Sequence, residues 1–225
     1  MTGSLRPPTP GAQRGTGSLP APEWRRKAVH AATGVLAIVP LVAPRAVAVA
    51  TLVLAAATAL ALDGARLRSE RWRRALTRLA PGILRPDEAR VLSGASFLAV
   101  GYAAAVLLFA PAAAAAGMLC LAAGDAAAAL VGQAVRRRRR VARNAAQGAT
   151  RGRPTDKTAA GTFACWAVSL VMIAAAVGLQ PLAMLAGATV AALVERLVPG
   201  RWDNLVLPSA VAAAVQVALG AAGGA

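Results

Sequence analysis

LCLAAGDAAAALVGQ, residues Leu119–Gln133, is the stretch on which the reading of this chain turns. Apart from Asp125 and the terminal Gln133 it is a run of small and aliphatic residues of the kind that crosses a bilayer. A carboxylate at mid-membrane costs roughly 2.5–3.5 kcal/mol on insertion scales. An acid kept in such a run has either a task at that depth or a partner on another helix.

The rest of the sequence has the same grain. Of its 225 residues 57% are hydrophobic and only 15% charged, against about 25% charged in soluble domains. The mean hydropathy is +0.56. The apolar residues come in long runs dominated by alanine, which lets helices approach closely. The expected fold is all-α: a polytopic transmembrane bundle of about seven helices. Cys120 and Cys165 lie inside apolar runs and fit neither a metal spacing nor a disulfide framework, so they read as small packing residues. Residues 1–22 are rich in Gly, Pro, Ser and Thr and read as a disordered tail. They lack the apolar core of a signal peptide. Residues 23–225 read as one transmembrane domain.

Seven candidate spans follow: Ala28–Ala43, Ala46–Leu62, Val91–Ala110, Ala112–Gly132, Ala159–Leu179, Leu182–Leu197 and Asn204–Gly220. Residues 63–90 and 133–158 are read as cytoplasmic loops. Of the 25 Lys and Arg residues, all but Arg45 fall in the N-terminal segment or in alternate loops. The positive-inside rule then puts the N-terminus in the cytoplasm and the C-terminus outside, in an integral multi-pass protein of a bacterial inner or plasma membrane. The same topology accounts for the net charge of +16, so no nucleic-acid partner is expected. In Arg66–Arg90, Trp72, Leu76 and Leu79 share one helical face; the segment is either an amphipathic helix on the inner leaflet or a solvated loop. The run Arg136–Arg140 reads as a partner for anionic lipid head groups or as a solvated charge run, with no catalytic role.

With this topology the isolated polar residues gather on one side. Asp125 lies roughly 10 Å from the inner end of its span, at 1.5 Å per residue. Glu23, Lys27 and His30 share a face at the start of the first span. Lys157 and Thr158 open the fifth, Glu195 closes the sixth, and Asp203 and Asn204 open the seventh. Plain structural roles stand beside each functional one. Asp203 and Asn204 suit a helix cap, Glu195 a pairing with Arg196 or Arg201, Lys157 and His30 an interfacial anchor, and Asp125 a structural ion pair. Gly124, Ala128 and Gly132 form a small face beside Asp125, and Lys157, Gly161 and Cys165 share another; such faces suit phosphate approach or helix packing.

Two motifs are decoys. Asp156–Thr158 ends like a phosphate loop, but the glycines of that motif are missing before Lys157. Leu62–Arg66, LDGAR, has part of the CDP-alcohol phosphotransferase signature without its spacing or its further aspartates.

Five blocks, in order, resemble the dolichol kinase, phytol kinase and CTP-dependent diacylglycerol kinase family. They are EWRRKAVHAATG (Glu23–Gly34), LSGASFLAVG (Leu92–Gly101), GDAAAALVG (Gly124–Gly132), DKTAAGTFA (Asp156–Ala164) and VERLVPGRWDNLVLP (Val194–Pro208). Together they cover the chain from about residue 23 to its end. One departure is that the arginine run stands where the family has a short glycine-containing link. The resemblance implies a membrane enzyme that moves a phosphoryl group from CTP to a lipid alcohol (prenol, polyprenol, phytol or diacylglycerol), with Mg²⁺ as divalent metal. Phosphoryl transfer is mostly positioning and charge neutralisation, and the polar set suits it. Asp125 is expected to hold metal or act as base, Asp203 with Asn204 to serve metal or nucleotide, and Glu195 to orient Lys157 or the metal. Lys157, Thr158 and Gly161 are expected at phosphate, and Lys27 and His30 at phosphate or the lipid hydroxyl. Two alternatives remain: a phosphatidate cytidylyltransferase-like enzyme making a CDP-lipid, and a small transporter, which would show inverted repeats and polar residues reachable from both sides.

Overall fold

The computed structural model describes residues 23–79, 88, 90–146 and 157–223. The expected tail, the middle of the 63–90 loop and residues 147–156, with Asp156, lie outside the described residues, as does the side chain of Glu23. The described chain is helical. In order it forms α1 (Glu23–Ala32), a 3-10 segment (Thr33–Ile38), α2 (Val39–Val42), α3 (Arg45–Arg68) and α4 (Glu70–Leu79). Then come α5 (Gly94–Leu108), α6 (Pro111–Leu119), a π segment (Cys120–Asp125) and α7 (Ala126–Ala146), and last α8 (Ala159–Val177), α9 (Pro181–Leu197) and α10 (Trp202–Gly223).

Among the described residues, four helical stretches are long and apolar enough to cross a membrane: Arg45–Arg68, Pro111–Arg139, Ala159–Val177 and Trp202–Ala222. Lys27–Val42 and Gly94–Leu108 are shorter apolar helices. The chain therefore has the build of an all-α membrane protein.

The boundaries differ most from expectation at the first span and at the two expected loops. The first span is not one regular helix, because the 3-10 segment tightens it ahead of Pro40, which sits in the first turn of α2. Residues 63–90 are not wholly a loop. α3 runs on to Arg68, since the Asp63 and Arg66 side chains neutralise one another inside the protein, and α4 follows after extended Ser69. α7 likewise continues through the arginines to Ala146 instead of ending at Gly132.

Proline and polar caps set several starts. Pro111 and Pro181 occupy the first turns of α6 and α9, where a missing N–H costs nothing. Thr158 caps α8, its hydroxyl accepting from the Gly161 N–H at 3.1 Å. At α5 the Glu88 carboxylate takes the Gly94 N–H at 3.0 Å.

The rod α6–π–α7 is the centre of the bundle. α6 packs on α10, α8, α5 and the 3-10 segment, while α9 lies against α8 and α10, and α3 against α5. The core is small-residue packing around buried Ala113–Ala116, Met118, Cys120 and Leu121. Cys120 and Cys165 are buried free thiols within it, as packing residues would be. α10 carries Pro208 in its interior. Proline has no N–H to give to the carbonyl four residues earlier, that of Asn204. Gly101 lies against this carbonyl: a methyl there would stand 2.5 Å from the Asn204 oxygen. Gly117 faces the Pro208 carbonyl more closely still, so α10 can lie on α5 and α6 only because those two residues lack side chains.

Candidate functional site

Asp125 is the last residue of the π segment and is 9% exposed. π turns inside α-helices are rare and frequently mark functional positions, because the wider ladder re-aims side chains and loosens carbonyls. Here the Leu121 carbonyl meets His30 Nε2 at 3.2 Å. The Asp125 carboxylate accepts a hydrogen bond from the Lys27 ammonium, and His30 Nε2 lies 3.5 Å from the same oxygen. Lys27 and His30 sit nearly a turn apart on α1, so one helical face delivers both to the acid. Thr33, which begins the 3-10 segment, hydrogen-bonds the His30 carbonyl at 2.6 Å and meets the Tyr102 hydroxyl at 3.2 Å, fixing this end of α1 against α5.

A second group lies where α8, α9 and α10 meet. The Lys157 ammonium donates to the carbonyls of Glu195 and Val198, the latter at 2.9 Å, and stands 3.7 Å from Asp203 Oδ2. It therefore closes the C-terminal end of α9, whose last carbonyls lack helical partners. Arg196 returns the contact, donating to the Lys157 carbonyl at 2.6 Å. Asp203 Oδ1 takes the Asn204 N–H at 2.8 Å, and the Asn204 side-chain amide donates to the Gly94 carbonyl at 3.1 Å. The two groups feel one another: Asp125 interacts electrostatically with Lys157, and Asp203 with Asp125 and Lys27. α7 and α8 hold them together through Gly161, where a methyl would stand 2.7 Å from the Ala128 carbonyl, and Gly132, packed near the Thr158 hydroxyl.

Lys27, His30, Asp125, Lys157, Asp203 and Asn204 are thus brought to one region. Three other expected residues are placed differently. Gly161 is spent on the α7 backbone, and Thr158 on capping α8, so each has a packing or capping role in place. The Glu195 carboxylate accepts from Thr162 Oγ1 at 3.0 Å along the α8–α9 contact, so Glu195 reaches Lys157 only through its backbone carbonyl. It pairs with neither Arg196 nor Arg201. Among the described residues no three His, Cys, Asp or Glu side chains are gathered as a metal cluster. The expected trio of Asp125, Asp203 and Glu195 is therefore not assembled. Asp125 and Asp203 are the carboxylates left in this region, each beside a lysine, and one or two carboxylates with substrate phosphates and water are the donor set that Mg²⁺ takes.

No protein-family model, curated protein or solved structure compared with this chain matches it. The site must be read from its own chemistry.

The sequence reading missed a further buried polar centre. Asp63, 5% exposed, is surrounded by donors. Oδ1 takes Arg66 Nε at 3.0 Å and Nη2 at 2.7 Å. Oδ2 takes the Ser93 N–H, the Ser93 hydroxyl and the Ser96 hydroxyl at 2.7, 2.9 and 2.7 Å. Arg66 spends its remaining donors on the Glu88 and Val91 carbonyls, both at 2.8 Å. A signal was present: Asp63 and Arg66 sit three apart at the end of one apolar run, and Ser93 and Ser96 three apart at the start of the next.

Proposed function

We propose that the chain is a CTP-dependent lipid-alcohol kinase, seated in the membrane with its N-terminus and site on the cytoplasmic side and its C-terminus outside. The orientation is supported by the distribution of Lys and Arg, from which Arg45 alone departs. The donor nucleotide and the lipid class rest on the family resemblance. The observation that carries the reaction class is Asp125, held by Lys27 and beside His30 at a π turn of the central rod.

The residues suit phosphoryl transfer in the following way. The acceptor is an alcohol at the head of a hydrocarbon chain, entering sideways from the inner leaflet. Its hydroxyl oxygen forms a bond to the γ-phosphorus as the bond to the β–γ bridging oxygen breaks, and CDP leaves. His30, whose Nε2–H is turned to the Leu121 carbonyl and Asp125, takes the hydroxyl proton at Nδ1; the Asp125 carboxylate stabilises the resulting imidazolium. Lys27 and Lys157 place positive charge where the phosphate oxygens gain negative charge. Asp125 and Asp203 would hold Mg²⁺, which supplies further neutralisation of the triphosphate. Asn204, pinned through its amide to Gly94, offers a fixed polar group to the nucleotide.

The test is incubation of the purified protein in detergent with γ-labelled CTP and a panel of prenol, polyprenol, phytol and diacylglycerol. A labelled lipid phosphate is expected, with CTP used much better than ATP and no product in excess chelator. A CDP-lipid product, or equal use of ATP, would contradict the reading.

A further inference from the structure

Two of the basic residues at the candidate site are committed. Lys27 is on Asp125, and Lys157 is on two carbonyls and near Asp203. A third, Arg201, is not. It ends the link between α9 and α10, directly after Gly200, whose φ of 65° turns the chain there. It stands two residues before Asp203 and three before Asn204.

Sequence spacing offered Glu195 as its partner, but that carboxylate is turned to Thr162. Among the described residues the Arg201 guanidinium makes no hydrogen bond and no ion pair. Its contact is the ring of Phe97, 5.5 Å from Cζ to the centroid. That ring is buttressed edge-on by Trp202, with centroids 4.9 Å apart. The Arg201 Nε–H is sealed from solvent and has no acceptor. A donor in that position is costly to leave unmade. An aromatic shelf holds the guanidinium plane without using its donors, and its five N–H groups form a fork that matches phosphate oxygens.

We propose that Arg201 is a phosphate-binding residue, its guanidinium held on Phe97 to receive a phosphate group beside Asp203 and Asn204. Placing that phosphate on a nucleotide rests on the kinase reading. The same chemistry is offered by the phosphate of a phospholipid head group at the inner interface, so the test has one arm for each source.

The full chain is purified in a phosphate-free maltoside detergent, as wild type, Arg201→Gln and Arg201→Lys. In the first arm Mg·CTP affinity is measured by calorimetry, with cytidine as the phosphate-free control. In the second, retention of phosphatidylglycerol is measured by native mass spectrometry. Thermal melting checks each variant's fold. The expected result is CTP binding weakened about 10- to 100-fold in Arg201→Gln, the range of a lost hydrogen bond to a charged group. Arg201→Lys should fall between, and cytidine binding should not change. If the wild type binds no CTP but loses phosphatidylglycerol on Arg201→Gln, the kinase reading fails and the Arg201 assignment stands with lipid as the source. Unchanged affinity in both arms for a normally melting Arg201→Gln overturns the assignment. If that variant does not fold, Arg201→Lys decides, because it keeps the charge and loses the fork: unchanged affinity in both arms then overturns it.

Discussion

Asp63 and Asp125 both lie within apolar helical stretches, and they are held in opposite ways. Asp63 accepts five hydrogen bonds, from Arg66, Ser93 and Ser96, and its counter-charge is three residues away on the same helix. Asp125 is held by Lys27, with His30 at 3.5 Å, and both come from a different helix. A carboxylate ringed by donors of its own neighbourhood is chemically finished; it has no lone pair left to offer a ligand. Asp125 keeps acceptor capacity, and its cation sits on a long, flexible side chain that can turn to an incoming phosphate. Burial alone does not separate a structural acid from a working one. How completely its acceptor sites are filled does.

The strongest way to break this contrast is Asp63→Ala. It leaves Arg66, 2% exposed, as an uncompensated buried charge, and stability should fall by about 3–5 kcal/mol. Thermal melting of the detergent-purified variant measures it, and Asp63→Leu with Arg66→Leu should recover much of the loss, because the two residues act as a unit. A single variant as stable as wild type would remove Asp63 from its structural role.

Gly101→Ala probes the link between the two centres, since Gly101 packs on the Asn204 carbonyl. Overpacking there should cost about 1–3 kcal/mol and displace the first turn of α10, so turnover should drop together with the melting temperature. Lys157→Met should cost about 1–2 kcal/mol, because the Glu195 and Val198 carbonyls lose their donor. If Lys157 also meets phosphate, CTP affinity falls beyond what the melt accounts for. Thr162→Val removes one hydrogen bond to Glu195 and should cost only about 1 kcal/mol, with turnover unchanged. A large loss of turnover in that variant would return Glu195 to the reaction.

Much of the candidate site was legible because charge is conspicuous in an apolar chain. Asp125 interrupts an apolar run, while Lys27, His30, Lys157 and Asp203 stand at or near the ends of apolar runs, where the expected topology puts them on one side. Partners were not legible. The run around Asp125 carries no mark of a π turn, and nothing in it names Lys27, 98 residues away. Asp63 was misplaced for a physical reason. A window that counts charges ends a membrane span at the first acid followed by arginines, whereas Asp63 and Arg66 cancel and let α3 continue to Arg68. The arginines of α7 hid a helix in the same way, since a run of like charge reads as loop although arginine is a good helix former. For Gly161 the sequence left phosphate approach and helix packing open, and only the fold, which brings the Ala128 carbonyl to it, identifies the packing contact.

One paired measurement separates the two aspartates. Asp125→Asn and Asp63→Asn are purified side by side, and each is scored for melting temperature and for CTP-dependent lipid phosphorylation. Asp125→Asn should melt near wild type and lose about 10²–10³ in turnover, as when one positioned electrostatic group is removed from a reacting centre. Asp63→Asn should melt well below wild type and, at temperatures where it is folded, turn over at close to the normal rate. The reverse pattern, a folded Asp125→Asn with full activity beside a stable and inactive Asp63→Asn, would contradict this and move the chemistry to Asp63, near the C-terminal end of α3.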